Sequence, residues 1–227
     1  MYAYRGRAGT VADDAAFTAG LLDRAAATGE RQVRAWVPRR HVAFGRRDAT
    51  ADGYAEAVAA AERRGFQAVE RSVGGRAVAH AGATVAVAVA EPVTDLREGV
   101  TDRYDRVLEA CQRTLWDLGA PVQRGEPDAA FCPGSHSLSY RGKLAGVAQR
   151  LRADAALTAG VVVVDGREAV GDVLAPVYAA LGVPFDPASV GSVARAGGPA
   201  DPPAVRDALE AALVDGDPTV EAVDRYT

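Results

Sequence analysis

Residues 136–164 read HSLSYRGKLAGVAQRLRADAALTAGVVVV. Three successive strands are predicted here, over residues 136–140, 144–150 and 157–164. Upstream, residues 84–90 alternate valine with alanine, the pattern of a strand packed closely on at least one face. Further strands are expected over residues 2–7, 32–37, 41–45 and 66–71. Helices are expected over 11–27, 54–64, 101–118, 167–181 and 204–214. Strands outnumber the crossover helices that a fully parallel sheet requires. The class is therefore α/β of the α+β kind, a mixed, largely antiparallel sheet with helices packed against it.

The helix at 101–118 is the clearest. Tyr104, Val107, Leu108, Cys111 and Leu115 form one apolar stripe, which makes Cys111 a core residue. Asp13 and Asp14 lie in the first turn of their helix, where carboxylates suit the dipole. Pro176 implies a kink or an early end in the helix at 167–181. Residues 182–203 read as loop, and the last dozen residues as frayed. A boundary near Gly197-Gly198-Pro199 separates a main domain, 1–198, from a short helical extension, 199–227, too small to be an accessory domain.

The chain has 227 residues, 48% hydrophobic and 25% charged, enough to bury a core without disulfide or metal support. The longest uncharged apolar run, residues 81–90, is half of what a bilayer-spanning helix needs, and the N-terminus has no signal-peptide core. The reading is a soluble cytoplasmic protein without a membrane partner. A net charge of −4, with no basic stretch interleaved with aromatics, argues against nucleic acid. Two cysteines and three histidines show no zinc-site spacing. The 26 basic residues include a single lysine, Lys143. A lysine is a compact point charge that can approach one atom closely, which the arginine fork cannot do.

Two stretches could carry chemistry. In Arg71-Ser72-Val73-Gly74-Gly75-Arg76-Ala77-Val78-Ala79-His80, the glycines allow close backbone approach to a ligand, and Arg71 and Arg76 offer anion-binding forks. The same pattern also suits a plain glycine hairpin with solvated arginines. In Phe131-Cys132-Pro133-Gly134, the cysteine sits in a loop that favours access, eleven residues before Lys143. A nearby ammonium favours the thiolate, the nucleophilic form. The alternative is a buried cysteine filling space beside Phe131. His136 could pair with Cys132, and His41 is read as incidental.

Together the stretches resemble the lipoate/octanoate attachment family, within the biotin/lipoate protein ligase superfamily. Arg71, Gly74, Gly75, Ala77, Val78 and His80 are similar to its acyl-pocket motif. Gly142, Lys143, Ala145, Gly146, Ala148 and Gln149 resemble its lysine motif. The resemblance implies a class II synthetase-like sheet sandwich, the biotin/lipoate protein ligase catalytic-domain fold. It also implies that Lys143 contacts an acyl carbonyl, with Arg71, Ser72, Gly74, Gly75, Arg76, Ala77, His80, Gly142, Gly146 and Ala148 binding substrate.

Cys132, Pro133, Gly134, Ser135, Leu138, Ser139, Gly142 and Lys143 look most like the cysteine-dependent members. Those move octanoyl or lipoyl groups between lipoyl domains such as the glycine cleavage H protein and the acyltransferase subunits of 2-oxoacid dehydrogenases. The implied mechanism is ping-pong through a Cys132 thioester, with no tightly bound cofactor. The chief alternative is an ATP-dependent lipoate–protein ligase, which would use Lys143, ATP and Mg and have no need of Cys132. A non-catalytic lipoyl-domain binder would keep the glycines without needing Cys132 and Lys143 together.

Overall fold

The computed structural model describes residues 1–71, 73–95 and 98–226. The strands are β1 (Tyr2–Arg5), β2 (Gln32–Trp36), β3 (His41–Phe44), β4 (Gln67–Glu70), β5 (Val78–His80), β6 (Thr84–Pro92), β7 (Gln123–Arg124), β8 (Ser137–Ser139), β9 (Lys143–Arg152), β10 (Ala155–Val163) and β11 (Thr219–Ala222). The helices are α1 (Val11–Thr28), α2 (Arg46–Ala49), α3 (Tyr54–Glu62), α4 (Val100–Asp117), α5 (Arg167–Ala180) and α6 (Pro202–Leu213). The larger sheet runs β11-β1-β2-β6-β10-β9-β8-β7, and a smaller one runs β4-β3-β5. The larger sheet is parallel across β11, β1 and β2 and antiparallel from β2 onward, as expected of a mixed, largely antiparallel sheet.

The valine–alanine alternation of β6 explains how the layers pack. Val85, Val87 and Val89 join Val107, Leu108 and Leu115 of α4 and Leu209 of α6 in one core. Ala88 and Ala90 face the other way, beneath Phe17, Leu21 and Leu22 of α1. Small side chains on that face let α1 lie close to the strand and keep the sheet surface low. Ala159 of β10 pairs with both Ala88 and Ala148 of β9, so the low surface continues across three strands. The small sheet packs with α3 and α5 through Phe44, Ala57, Ala61, Val173 and Leu174. These two layers enclose the site described below.

Local chemistry sets the helix ends. Thr10 and Asp13 close a capping box at the start of α1, and Gly29 ends it in the left-handed region. Asp14 has a different job from its neighbour. It is buried and accepts from Arg34 Nη2 at 2.5 Å, from Arg39 Nη1 at 3.1 Å and from the Ala8 amide at 2.8 Å. The dipole reading therefore fits Asp13, whereas Asp14 is the counter-ion of the fully buried Arg34.

Two expectations are corrected. Of the kink or early end that Pro176 implies, the early end does not occur, because helix α5 runs through it to Ala180. The amide that proline lacks would have met the carbonyl of Asp172, which lies on the exposed side of the helix. Residues 219–226 are not frayed. β11 pairs in parallel with β1, Tyr2 opposite Thr219 and Arg5 opposite Ala222, and Val223 is fully buried beyond it. A four-residue strand has too few alternations to show locally, and its partner lies at the opposite end of the chain. The segment between α4 and β8 contains the two-residue strand β7, paired with β8. No helix among the described residues is long and apolar enough to cross a membrane.

Candidate active site

A cavity of about 650 Å³ lies between the low face of the large sheet and the small sheet. Its floor comes from Ala86, Gly146, Ala148, Leu157, Ala159 and Val161. Trp36, His41 and His80 contribute to its wall, and Arg71, Gly74, Gly75, Cys132 and Lys143 also line it. The two sequence stretches that could carry chemistry thus meet in one place.

Phe131, fully buried in the core under the small sheet, anchors the loop that carries Cys132. Cys132 takes φ of 42°, a left-handed conformation that costs a non-glycine residue roughly 1–2 kcal/mol. Its Sγ accepts from Arg71 Nη2 at 3.2 Å. The Arg71 Nη2 group also donates to the Arg76 carbonyl at 2.7 Å, which ties the guanidinium to the glycine loop. Gly75 is held at φ of +97°, and a Cβ there would fall 2.6 Å from Sγ and 2.7 Å from Arg71 Nη2. The glycine is needed both for its backbone conformation and for the approach of the thiol.

Lys143 begins β9 and is 1% exposed. Its Nζ donates to the Cys132 carbonyl at 2.7 Å and to Glu126 Oε1 at 3.1 Å, and lies 5.1 Å from the centre of the Phe131 ring. An ammonium has three N–H donors, and these two contacts use two of them. Gly146 leaves room for the lysine stem, since a Cβ there would lie 3.0 Å from Lys143 Cε. The cation in contact with the thiol is therefore Arg71, while Lys143 holds the peptide carbonyl of the same cysteine.

His80 and His41 stack in the cavity wall with ring centres 4.5 Å apart. His41 Nδ1–H donates to the Arg39 carbonyl at 2.8 Å, and His80 Nδ1 shares a hydrogen bond of 3.0 Å with Thr84 Oγ1. Burial, then His41 and Arg71, hold the His80 pKa well below the usual histidine range, and burial lowers that of His41. Both rings are neutral near pH 7, so the stacked pair adds no charge to the wall.

Residues 11–213 match the model of the lipoyl protein ligase A/B catalytic domain. The chain belongs to that family. An octanoyl-(GcvH):protein N-octanoyltransferase of Geobacillus kaustophilus is 31% identical over 119 residues, 52% of this chain and 42% of the relative. A lipoyl-(GcvH):protein N-lipoyltransferase of Listeria monocytogenes is 25% identical over 135 residues, 59% of this chain and 49% of the relative. The matched stretch spans under half of either transferase's length. Among solved structures, lipoate-protein ligase A bound with ATP superposes with a TM-score of 0.75 at 18% identity, covering 97% of this chain and 88% of that one. A putative lipoate protein ligase from T. acidophilum with bound lipoic acid gives 0.74 at 18% identity, with the same coverage. These likenesses establish the lipoyl-ligase catalytic-domain fold that the two motifs imply.

Several motif residues of this family member stand away from the cavity lining. Arg76 pairs through Nη1 with the buried Asp48 at 3.2 Å and is not among the residues that line the cavity. Ala77 is fully buried behind the glycine loop. Gly142 has φ of +132° and packs against residues 189–191, a backbone contact with no room for a side chain. Ser72 lies outside the described residues. His136 stacks on Tyr104 with ring centres 3.8 Å apart, and His41, read as incidental, belongs to the cavity wall. Cys111 is in the core as expected, where burial raises its thiol pKa to about 12. Glu126 and Tyr178 were not singled out in the sequence. Glu126 stands in a loop without periodic pattern. The only signal for Tyr178 is that a buried phenol needs a hydrogen-bond partner.

Proposed function

We propose that this family member is a protein N-acyltransferase of lipoylation, which transfers an octanoyl or lipoyl group to a lysine of a lipoyl domain through a thioester on Cys132. The observation that carries this reading is the 3.2 Å contact from Arg71 to Cys132 Sγ on the lining of an apolar-floored cavity. A sulfur held by a guanidinium on a cavity lining is placed for a nucleophile, and a ligase that works through an acyl-adenylate has no use for that arrangement. The cavity volume lies within the usual range for small-molecule sites, and its alanine and glycine floor suits a flexible apolar chain.

In the first half-reaction the Cys132 thiolate attacks the carbonyl carbon of an acyl-lysine amide on the donor domain. A C–S bond forms, the C–N bond breaks, and the lysine amine leaves after taking up a proton. In the second, the neutral amine of the acceptor lysine attacks the thioester, an amide forms and the thiolate returns. We assign Lys143 the donor to the acyl oxygen as negative charge develops there, through its third N–H. The relatives' names write the acyl group on GcvH, and we assign lipoyl domains of that type, together with those of 2-oxoacid dehydrogenase acyltransferase subunits, as partners. No ATP or Mg enters this cycle.

Intact-protein mass spectrometry after mixing with an octanoylated lipoyl domain, without ATP, tests the reading. It requires a covalent gain of one octanoyl group, lost with hydroxylamine and absent in Cys132→Ser. Acylation of an acceptor only when ATP and free lipoate are supplied, with no adduct on the cysteine, would make the protein a ligase.

A further inference from the structure

The hydroxyl of Tyr178 lies at the junction of the nucleophile loop and the strand behind the glycine turn. The side chain is fully buried on α5. Its oxygen accepts from the Cys132 amide at 2.5 Å and donates to the Ala77 carbonyl at 2.9 Å. Burial above all, with the neighbouring Cys132 adding to it, raises its pKa far above the usual phenol range, so it stays protonated and keeps both roles. One atom therefore ties the peptide of the cysteine to the strand that follows Gly75, the residue over which Sγ rests.

We infer that Tyr178 is the positioning residue that aims the Cys132 thiol, holding its amide so that Sγ points at Arg71 across Gly75. This rests on the thioester reading above. Two further features support it. Cys132 occupies a left-handed conformation that is unfavourable for a side chain and persists only where its surroundings enforce it. Its amide and carbonyl are both taken, by Tyr178 and by Lys143 Nζ, so the peptide units on both sides of its Cα are held. Because its N–H is spent on Tyr178, that amide is not available to an acyl oxygen, and Lys143 is left as the donor on this side.

The test is Tyr178→Phe, which keeps the ring and removes the hydroxyl, with Phe185→Leu as a packing control. Phe185 packs on the Tyr178 ring, centres 4.9 Å apart, and has no polar group to bond its hydroxyl. Two readouts are needed: the second-order rate of Cys132 alkylation by iodoacetamide, and kcat and KM for acyl transfer, both per folded protein. Tyr178→Phe should lose roughly 10- to 100-fold in alkylation rate and in kcat, with KM within about twofold, as for a reacting group displaced by an ångström. Phe185→Leu should melt earlier but keep both rates. Rates within twofold of wild type in Tyr178→Phe would overturn the assignment, as would equal losses in the two variants. Alkylation does not depend on acyl transfer. A Cys132→Ser variant that still transfers would therefore sink the thioester reading, while the alkylation data would still judge Tyr178.

Discussion

Arg71 and Cys132 lie 61 residues apart in sequence, and the guanidinium of one donates to the sulfur of the other at 3.2 Å. Sequence proximity had pointed to Lys143 as the cation for the thiol. The fold separates the two jobs instead, with Arg71 on the sulfur and Lys143 on the carbonyl of the same residue. Replacing Arg71 by Gln should slow Cys132 alkylation and acyl transfer by about 10-fold or more, the loss of a charge-assisted contact worth about 1.5–3 kcal/mol. Stopped-flow alkylation measures it. An unchanged rate would show that the contact does not activate the sulfur.

Lys143→Arg keeps the charge and should still lose acyl transfer by at least about 100-fold, the scale of removing one oxyanion donor. The lysine is buried beside Gly146, Phe131 and Glu126, and a planar fork cannot reproduce the point contact of its ammonium with the Cys132 carbonyl. Thioester formation and transfer should be followed separately by mass spectrometry. Normal thioester formation with normal transfer would make the single lysine a compositional accident.

Much of this organisation was legible in the chain. The strands at 136–164 and the valine–alanine strand were found because period-two alternation is a local signal. The two motifs placed Cys132, Lys143, Gly75 and His80 in one site because their spacing resembles a known family. What the sequence hid are pairings set only by the closed fold. Arg34 and Asp14 meet because β2 lies beneath α1, and nothing in either segment announces a buried ion pair. Nothing near Arg76 in the sequence points to its ion pair with the buried Asp48, 28 residues upstream. β11 exists because β1 offers it an open edge. Tyr178 sits among apolar residues of α5 and reads as core until its hydroxyl is traced to two peptides.

Acid should weaken the protein through the histidine stack. The folded-state pKa of His80 is held well below that of the unfolded chain, about 6.5, so between the two values the unfolded state binds more protons. The stabilising contribution is thus fully present above pH ~6.5 and is lost as pH falls through the folded-state value. His41 shifts in the same direction and stands against it. Urea unfolding at a series of pH values should show stability falling below pH ~6.5 more steeply in wild type than in His80→Gln. Equal slopes would mean that the histidine remains neutral, or is equally protonated, in both states.

Gly75→Ala combines the backbone and the chemical arguments in one substitution. The residue is held at φ of +97°, where any side chain is strained, and the new methyl would fall 2.6 Å from Cys132 Sγ and 2.7 Å from Arg71 Nη2. Something must move, and the two groups displaced are the sulfur and its cation. Backbone strain alone predicts a stability loss of about 1–3 kcal/mol, readable as a lower urea midpoint at unchanged slope. The displacement predicts a fall of about 100-fold or more in Cys132 alkylation, measured on the folded fraction. Gly74 provides the comparison, because a Cβ there meets nothing within 4 Å. Gly74→Ala should therefore alkylate at close to the wild-type rate. Should both variants lose reactivity equally, the effect would belong to loop flexibility and not to the space that Gly75 leaves for the thiol.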